Sequence, residues 1–191
     1  MSTEKRNVSA ERISQLARLN DLVFHSRDLA ALWQISNTNT LYTTLKRYCQ
    51  NGILFRIQNG LYSLVPPDKL DPVLLGLKVI HKYAYLTLET ILFQEGVINQ
   101  PSSYITFAGP KPISFQICGQ AYKCRQLQDR YLFQPIGVED KKGVLTASVE
   151  RAVADSLYFN PDRHFDAPHL VNWSKVQDIQ KEIGYHVTSP A

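Results

Sequence analysis

Apolar residues in the first third of the chain recur at helical spacing in two segments ahead of residue 34. The first is residues 9–20, and its stripe predicts an amphipathic helix. The second is residues 27–33, where Ser26 has the side chain of an N-cap. The apolar positions of the two segments are Ile13, Leu16, Ala17, Leu29, Leu32 and Trp33. These positions predict two helices that pack against each other.

A third helix is predicted over residues 38–50. Its apolar residues are spaced so that they share one face, and they are Leu41, Leu45, Tyr48 and Cys49. The remaining face is polar and is predicted to be exposed, with Asn39, Tyr42, Thr43, Lys46, Arg47 and Gln50. Asn51-Gly52 is typical of a helix end. The sequence therefore predicts a helix with an exposed polar face that ends at Asn51-Gly52.

Two β-rich runs follow in "ILFRIQNGLYSLV", separated by Asn59-Gly60. An Asn-Gly pair between such runs predicts a hairpin with a type I′ turn. Three helices followed by a hairpin are typical of a winged helix-turn-helix. We therefore predict such a domain over residues 1–66.

The pattern changes after the proline-containing linker at residues 66–67, and residues 67–191 are predicted to form an α+β domain with a helical C-terminal tail. Predicted helices begin at Asp71-Pro72, at Thr87 and at Ser148, and a strand is predicted over 104–108. Short β-like runs are "ISFQICG", "AYKCRQL" and "YLFQPIGVE". The tail is read as two helices, "HFDAPHLVNW" and "SKVQDIQKEIG", with Asp166 as cap of the first, Ser174 and Gln177 at capping-box spacing in the second, and Gly184 as the stop. The chain as a whole is predicted to be α+β.

Charge is distributed unevenly between the two predicted domains. The net charge is +4, and residues 1–66 hold eight Lys and Arg against four Asp and Glu, whereas residues 67–191 hold thirteen of each sign. Between Leu29 and Val65 the chain has no acidic residue. A surface that faces phosphates avoids carboxylates because each one repels the phosphate charge. The first domain is therefore predicted to bind an anionic partner.

The residue types on the third helix favour double-stranded DNA as that partner. Asn, Thr, Tyr, Lys, Arg and Gln can contact base edges and phosphates when a helix lies in the major groove. Arg56 and Gln58, near the hairpin tip, are predicted to contact an adjacent phosphate or the minor groove. The alternative is a protein-interaction module, because winged helices also bind proteins.

Other features argue against membrane, metal and cofactor sites. No apolar run approaches the roughly 20 residues that span a bilayer, and the amino terminus lacks the apolar segment of a secretion signal, which predicts a cytosolic protein. The cysteines Cys49, Cys118 and Cys124 lack metal-ligand spacing and are predicted to be reduced thiols. No phosphate-binding glycine motif or paired-histidine motif is present. We predict a non-enzymatic protein with no metal and no cofactor.

One late motif has three possible roles. Arg151 and Asp155 are i, i+4 neighbours that can form a salt bridge next to Glu150, which favours a structural role over contact with a partner. Glu150 with the charged run 139–142 is also similar to the carboxylate and lysine set of a Mg²⁺-dependent nuclease. That run, "EDKK", fits a solvated hairpin turn more simply.

The chain resembles the AbiEi family, the antitoxins of abortive-infection type IV toxin-antitoxin systems. The likeness lies in the hairpin "NGLYSL", in "YLTLETILFQEGVINQPSSYITF" and in "GVLTASVERAVADSLYF". It implies a DNA-binding module that represses its own operon and a second domain that counteracts a nucleotidyltransferase-type toxin, with direct contact not required. The sequence departs from the family in its short carboxyl end after Phe165.

The predicted function is therefore a DNA-binding antitoxin and transcriptional autorepressor. A single helix and wing bury a modest area, so two copies on an inverted-repeat operator, as a homodimer, are expected. A protein-interaction module and a Mg²⁺-dependent nuclease are the alternatives.

Overall fold

The structure is a computed structural model that describes residues 3–188, with side chains from residue 8 onward. It is a mixed α and β protein whose chain divides into two compact units, Met1–Asp71 (unit 1) and Pro72–Ala191 (unit 2). Within the described range, no helix is both long and apolar enough to cross a membrane.

Unit 1 contains three helices and a small antiparallel sheet. In chain order its elements are α1 (Thr3–Arg18), β1 (Val23–His25), α2 (Ser26–Leu32), α3 (Thr38–Gln50), β2 (Phe55–Gln58) and β3 (Leu61–Ser63). The strand order is β1-β3-β2, so the hairpin formed by β2 and β3 is extended by β1 from between the first two helices. The third helix has the bounds that the sequence predicts.

The core of unit 1 joins all three helices to the sheet. Its buried members are Leu16, Phe24, Leu29, Trp33, Leu41, Leu45, Tyr48, Leu54 and Tyr62. Burying one such side chain contributes about 1.5–3 kcal/mol. The Trp33 and Tyr48 rings meet edge to face at 5.6 Å, and the Ser9 hydroxyl donates to the Tyr48 hydroxyl at 3.0 Å. These contacts fix α3 against the other two helices and leave its polar face outward.

Two predictions for unit 1 were wrong. Ser26 is the first residue of α2 and its side chain does not cap the helix. Its backbone N–H donates to the Gly60 carbonyl at 2.9 Å, which connects the hairpin turn to the start of the helix. The Asn59-Gly60 turn is not type I′, which needs positive φ at both residues, since only Gly60 has it, at 77°. A register shift between Arg56 and Gln58 forms a bulge instead.

Unit 2 is built on a six-stranded mixed sheet of order β6-β7-β5-β4-β9-β8. Its strands are β4 (Tyr85–Leu86), β5 (Tyr104–Gly109), β6 (Ile113–Ile117), β7 (Gln120–Gln126), β8 (Val138–Lys141) and β9 (Val144–Ala147). Its helices are α4 (Pro72–Ile80), α5 (Glu89–Gln94), α6 (Asp129–Leu132), α7 (Val149–Phe159) and α8 (Trp173–Ile183). The parallel pairs are β5 with β7 and β4 with β9, and the other pairs are antiparallel.

Two helix ends in unit 2 lie where the sequence indicates: the helix predicted from Ser148 starts there, with Ser148 as its N-cap, and the stop predicted at Gly184 is confirmed. The Ser148 hydroxyl accepts from the Arg151 N–H at the start of α7, at 3.2 Å. Gly184 ends α8 in the left-handed region, with φ 88°. Both residues therefore act as the pattern indicates.

Other caps predicted for unit 2 were wrong. Thr87 does not cap α5, because its hydroxyl donates to a buried carboxylate and Leu88 precedes the helix. Asn172 caps α8 by accepting from Lys175 N–H at 3.1 Å, in place of Ser174. Asp166 accepts instead from the Asn99 N–H, at 2.7 Å.

Two segments of unit 2 also differ in secondary structure from the prediction. "YLFQPIGVE" begins in helix α6 and becomes a strand only at Val138. "HFDAPHLVNW" contains a single 3₁₀ turn at Pro168–Leu170 in place of a helix.

Candidate nucleic-acid interface

The outer face of α3 presents the side chains that the sequence singles out. Five of its polar residues are exposed, and they are Asn39, Tyr42, Thr43, Lys46 and Gln50. Arg47 is half-buried, with its guanidinium carbon 5.6 Å from the centre of the Tyr48 ring. This contact with a core ring holds the Arg47 charge close to the helix while its neighbour Lys46 extends freely.

Local hydrogen bonds orient α3. The Asn37 side chain caps the helix by accepting from the Thr40 N–H at 3.0 Å. The Thr44 hydroxyl donates to the Thr40 carbonyl at 2.8 Å, so Thr44 turns inward and its neighbour Thr43 faces solvent. The first turn of α3 contains no acidic residue. The positive end of the α3 dipole is therefore not neutralised by a carboxylate within the helix's own first turn.

The hairpin contributes one cation to the same surface. Arg56 and Gln58 alternate with half-buried neighbours on β2 and are both exposed, and the Arg56 guanidinium donates to the Asn59 side chain at 3.4 Å. Burial raises the pKa of the Cys49 thiol, and the Arg56 charge opposes that rise. Burial also raises the pKa of Tyr62, and the Arg56 charge again acts to lower it. Arg56 therefore lies close enough to the end of α3 to act on its side chains.

Six of the eight candidate residues are on α3 and two are on β2. The chain between Leu29 and Val65, which contains all eight, has no Asp or Glu. Exposed cations on a segment without carboxylates suit a polyanion.

The late motif is buried and serves a different purpose. The Arg151 guanidinium and the Asp155 carboxylate form an ion pair at 2.9 Å, and both side chains are fully buried. Arg151 also donates to three backbone carbonyls, those of Tyr131 at 3.2 Å, Gln134 at 3.1 Å and Ile136 at 2.8 Å. It therefore ties α7 to the segment that leads into β8, as the structural interpretation of the motif requires.

Three hydroxyl groups complete this cluster around Asp155. Tyr85 donates to the carboxylate at 2.9 Å, Thr87 at 2.9 Å and Tyr185 at 3.0 Å. Arg151 donates in turn to the Tyr85 hydroxyl at 2.7 Å. Burial raises the pKa of both tyrosines, and the Asp155 charge raises them further. Both phenols are held as protonated donors.

The Arg151 charge is stabilised against the effect of burial. Burial by itself lowers the pKa of a guanidinium, but the Asp155 carboxylate and the Tyr85 and Tyr185 phenols outweigh it, so the pKa of Arg151 is raised. A charge this enclosed cannot reach a partner surface, so Arg151 and Asp155 act within unit 2.

Glu150 and the charged run have separate positions. Glu150 pairs with Lys175 of α8 at 3.3 Å. The run 139–142 forms the end of the β8–β9 hairpin, where the Asp140 carboxylate accepts from the Gly143 N–H at 2.6 Å. Lys142 and Gly143 both have positive φ, 58° and 84°, as a type I′ turn requires. Among the side chains that the structure describes, those of residues 8–188, no group of three or more from His, Cys, Asp and Glu could hold a metal ion.

Sequence reasoning missed the tyrosines and the threonine of the buried cluster. Tyr85 and Asp155 are 70 residues apart, and Tyr185 and Asp155 are 30 apart. The only sequence signal was a Tyr directly after the helix stop at Gly184, where a purely solvent-exposed tail would more often be polar.

Comparisons with known proteins give a fold relationship. No protein-family model matches the chain, and no curated protein matches it. The solved structure of the RV2827C protein from Mycobacterium tuberculosis is similar over 92% of this chain and 71% of that chain, with 12% identity and a TM-score of 0.56. A candidate nucleotidyltransferase from H. pylori is similar over 59% of this chain and 79% of that chain, with 13% identity and a TM-score of 0.32, too low to support an argument. The first similarity shows a shared fold, and none of these comparisons assigns an activity.

Proposed function

We propose that unit 1 is a winged helix-turn-helix that binds double-stranded DNA, with α3 in the major groove and the β2–β3 hairpin as the wing. The observation that carries the proposal is that the polar outer face of α3 and the exposed Arg56 lie within a segment, between Leu29 and Val65, that has no carboxylate. Such a surface gains affinity from each phosphate it neutralises and loses none to repulsion.

The proposed roles follow from side-chain chemistry. Asn39, Thr43 and Gln50 can form hydrogen bonds with base edges, and the exposed ring of Tyr42 can pack against a thymine methyl or the sugar backbone. Lys46, Arg47 and Arg56 neutralise phosphates, and Gln58 adds a neutral donor beside Arg56. The interface has few residues, so two copies on an inverted repeat supply the affinity of a specific complex.

In this proposal the protein is a non-enzymatic, cytosolic antitoxin and autorepressor of the AbiEi type. Unit 1 represses its own operon, and unit 2 counteracts a nucleotidyltransferase-type toxin encoded with it. The sequence resemblance supports the antitoxin role. The burial of Arg151 and Asp155 supports a route that does not use those two side chains as a toxin contact.

Fluorescence anisotropy tests the DNA-binding role directly. Labelled DNA from upstream of the gene and an unrelated duplex are titrated across a salt series with the wild type and with Lys46→Ala/Arg47→Ala. The control is Lys141→Ala/Lys181→Ala, which removes the same charge from two exposed lysines of unit 2.

We expect tighter binding to the upstream DNA and a salt dependence that flattens by about two units in the α3 variant, since each phosphate contact contributes about 0.9. The control variant keeps the wild-type slope. Equal and weak binding of all three proteins to both duplexes would overturn the proposal and favour a protein-interaction module.

A further inference from the structure

A second carboxylate-free stretch lies in unit 2. From Gly96 to Gln128 the chain has no Asp or Glu, and it includes Lys111, Lys123 and Arg125. This stretch contains all of β5, β6 and β7, which are adjacent in the sheet. The absence of carboxylates that singles out α3 in unit 1 therefore recurs in unit 2. Here it lies on a β-sheet, to which the argument for a helix in the DNA major groove does not apply.

Strands β6 and β7 place polar and basic side chains on one face, beside Tyr104 at the start of β5. Alternate residues of a strand point to the same side, and the register pairs Ser114 with Lys123 and Gln116 with Ala121 across β6 and β7. Lys123, Ser114 and Gln116 are exposed, and Arg125 follows Lys123 on the same side and is half-buried. The opposite side of β7 carries the buried Tyr122 and Cys124. The exposed side is thus a basic surface above a rigid core.

Aromatic rings lie beside both cations of this surface. The Lys123 ammonium is 6.0 Å from the centre of the Tyr104 ring, which comes from β5 and is 43% exposed. The Arg125 guanidinium carbon lies 3.9 Å from the centre of the Phe159 ring at the end of α7. Together with Pro112 and Ser114, Lys123, Arg125 and Phe159 line a shallow depression.

The carboxylate of Glu89, which acts on Arg125, already has a partner. Glu89 pairs with Arg163 at 2.9 Å. Burial lowers the pKa of Arg125, Glu89 raises it, and Arg163 lowers it, so Arg125 is near both members of this pair. The local balance of Lys123, Arg125, Arg163 and Glu89 remains positive.

We infer that this surface, formed by Tyr104, Ser114, Lys123, Arg125 and Phe159, binds single-stranded nucleic acid. Cations spaced along a strand follow a phosphate backbone, and an exposed ring offers a stacking surface for an unpaired base. Bases within a duplex are already stacked on their neighbours, so Tyr104 has a use only where the bases are free. The site is independent of the α3 surface and does not rest on the function proposed for it.

The test uses the full chain in a Lys46→Ala/Arg47→Ala background, which weakens the α3 surface. A labelled 12-nucleotide oligo(U) RNA, the matching oligo(dT) and a 20-base-pair duplex are titrated across a salt series. The variants are Lys123→Gln/Arg125→Gln and, separately, Tyr104→Ala, with Lys141→Gln/Lys181→Gln as the charge-matched control. Circular dichroism of each variant reports its folding.

The two kinds of variant should differ in salt dependence. Removing Lys123 and Arg125 should flatten the salt slope for the single strands by about 1.4 units, from about 0.7 per contact. Tyr104→Ala should weaken binding about fivefold or more with an unchanged slope, because stacking is not ionic. Should Arg125→Gln disturb folding, Lys123→Gln alone, at an exposed position, should flatten the slope by about 0.7.

The single-stranded arms distinguish RNA from DNA, and a preference for either is compatible with the inference. Single-strand binding that is equal in the Lys123→Gln and control variants would overturn it. So would a loss confined to the duplex, which would make this a second duplex-binding surface.

Discussion

Arg151 and Asp155 lie one turn apart on α7, and their side chains meet at 2.9 Å with neither reaching solvent. The pair is the centre of unit 2, because the guanidinium binds the backbone ahead of β8 and the carboxylate accepts from residues before α5 and after α8. A fully buried pair of this kind costs free energy when it is desolvated, and the surrounding hydrogen bonds offset that cost. Replacing either residue leaves the buried charge of the other without a counter-ion.

Asp155→Ala should therefore destabilise unit 2 by about 3–5 kcal/mol, since it leaves a buried guanidinium without its counter-ion. Urea unfolding, monitored by hydrogen exchange of the α7 amides, measures this change in the free energy of unfolding. Glu150→Ala on the same helix is the matched control and should cost less than about 1 kcal/mol, because its partner Lys175 is 55% exposed. Similar losses in both variants would contradict the central role of the pair.

Stability should fall at alkaline pH through the buried tyrosines. The pKa values of Tyr85 and Tyr185 are raised from 10.0 in the folded state, so the unfolded chain loses these protons first as pH rises. Their contribution is complete below pH 10 and decreases above it. Each tyrosine should lower the free energy of unfolding by about 1.4 kcal/mol between pH 9 and 11.

Tyr185→Phe should remove one of those two contributions. Its free energy of unfolding should be lower at pH 9, because the hydrogen bond to Asp155 is lost, and should then decline less steeply than that of the wild type. Urea titrations at both pH values measure the difference. Tyr104→Phe, at a surface position, should follow the wild-type curve; parallel curves for all three proteins would rule out the linkage.

The three cysteines should differ in reactivity toward a thiol reagent. Cys118 is exposed at the β6–β7 turn, Cys49 is half-buried with its pKa raised, and burial raises the pKa of Cys124 to about 11. Because the thiolate is the reactive form, modification at pH 8 should proceed in the order Cys118, Cys49, Cys124. Mass spectrometry of peptides from a timed reaction gives the order. Rapid labelling of Cys124 would mean that the β7 face opens in solution.

Arg56→Gln should separate the contribution of the β2–β3 hairpin to the proposed DNA binding from that of α3. We expect affinity for the upstream DNA and for the unrelated duplex to fall by the same factor, with the salt slope reduced by about 0.9, because a phosphate contact carries no sequence information. Gln58→Ala, two residues along the same strand, removes no charge and should keep the slope. An Arg56→Gln protein that loses only its sequence preference would place Arg56 at a base edge.

The sequence predicted α3 and its exposed face because every constraint on that segment is local. The apolar spacing, the polar remainder and the Asn-Gly stop all lie within residues 37–52. The sequence predicted the position of the hairpin turn but not its type. The Gly60 carbonyl accepts a hydrogen bond from the Ser26 N–H, which belongs to another element, and no local pattern reveals that contact. Type I′ geometry occurs at Cys118-Gly119 and Lys142-Gly143, where both residues of each pair have positive φ. Turn type follows the demands of the neighbouring strands as well as residue preference.

The buried cluster was predictable only as a pair on one helix. Its other members come from β4, from the residue before Leu88 and from the segment after α8, so no local pattern connects them. Similarly, two of the misassigned caps, Thr87 and Asp166, have side chains with other partners, Asp155 and the Asn99 N–H. Such choices are decided by tertiary contacts.

Because Tyr185 is added late in synthesis, the buried cluster of unit 2 is completed after the core of unit 1. The core of unit 1 is complete once residue 64 has been added, whereas the Asp155 carboxylate gains its last donor only at residue 185. At the usual 5–20 residues per second, the ribosome takes roughly 6–24 s to cover that interval. A nascent or prematurely released chain that stops short of Tyr185 would therefore have a complete core in unit 1 and an incomplete one in unit 2, and unit 2 would be the part exposed to chaperones and proteases.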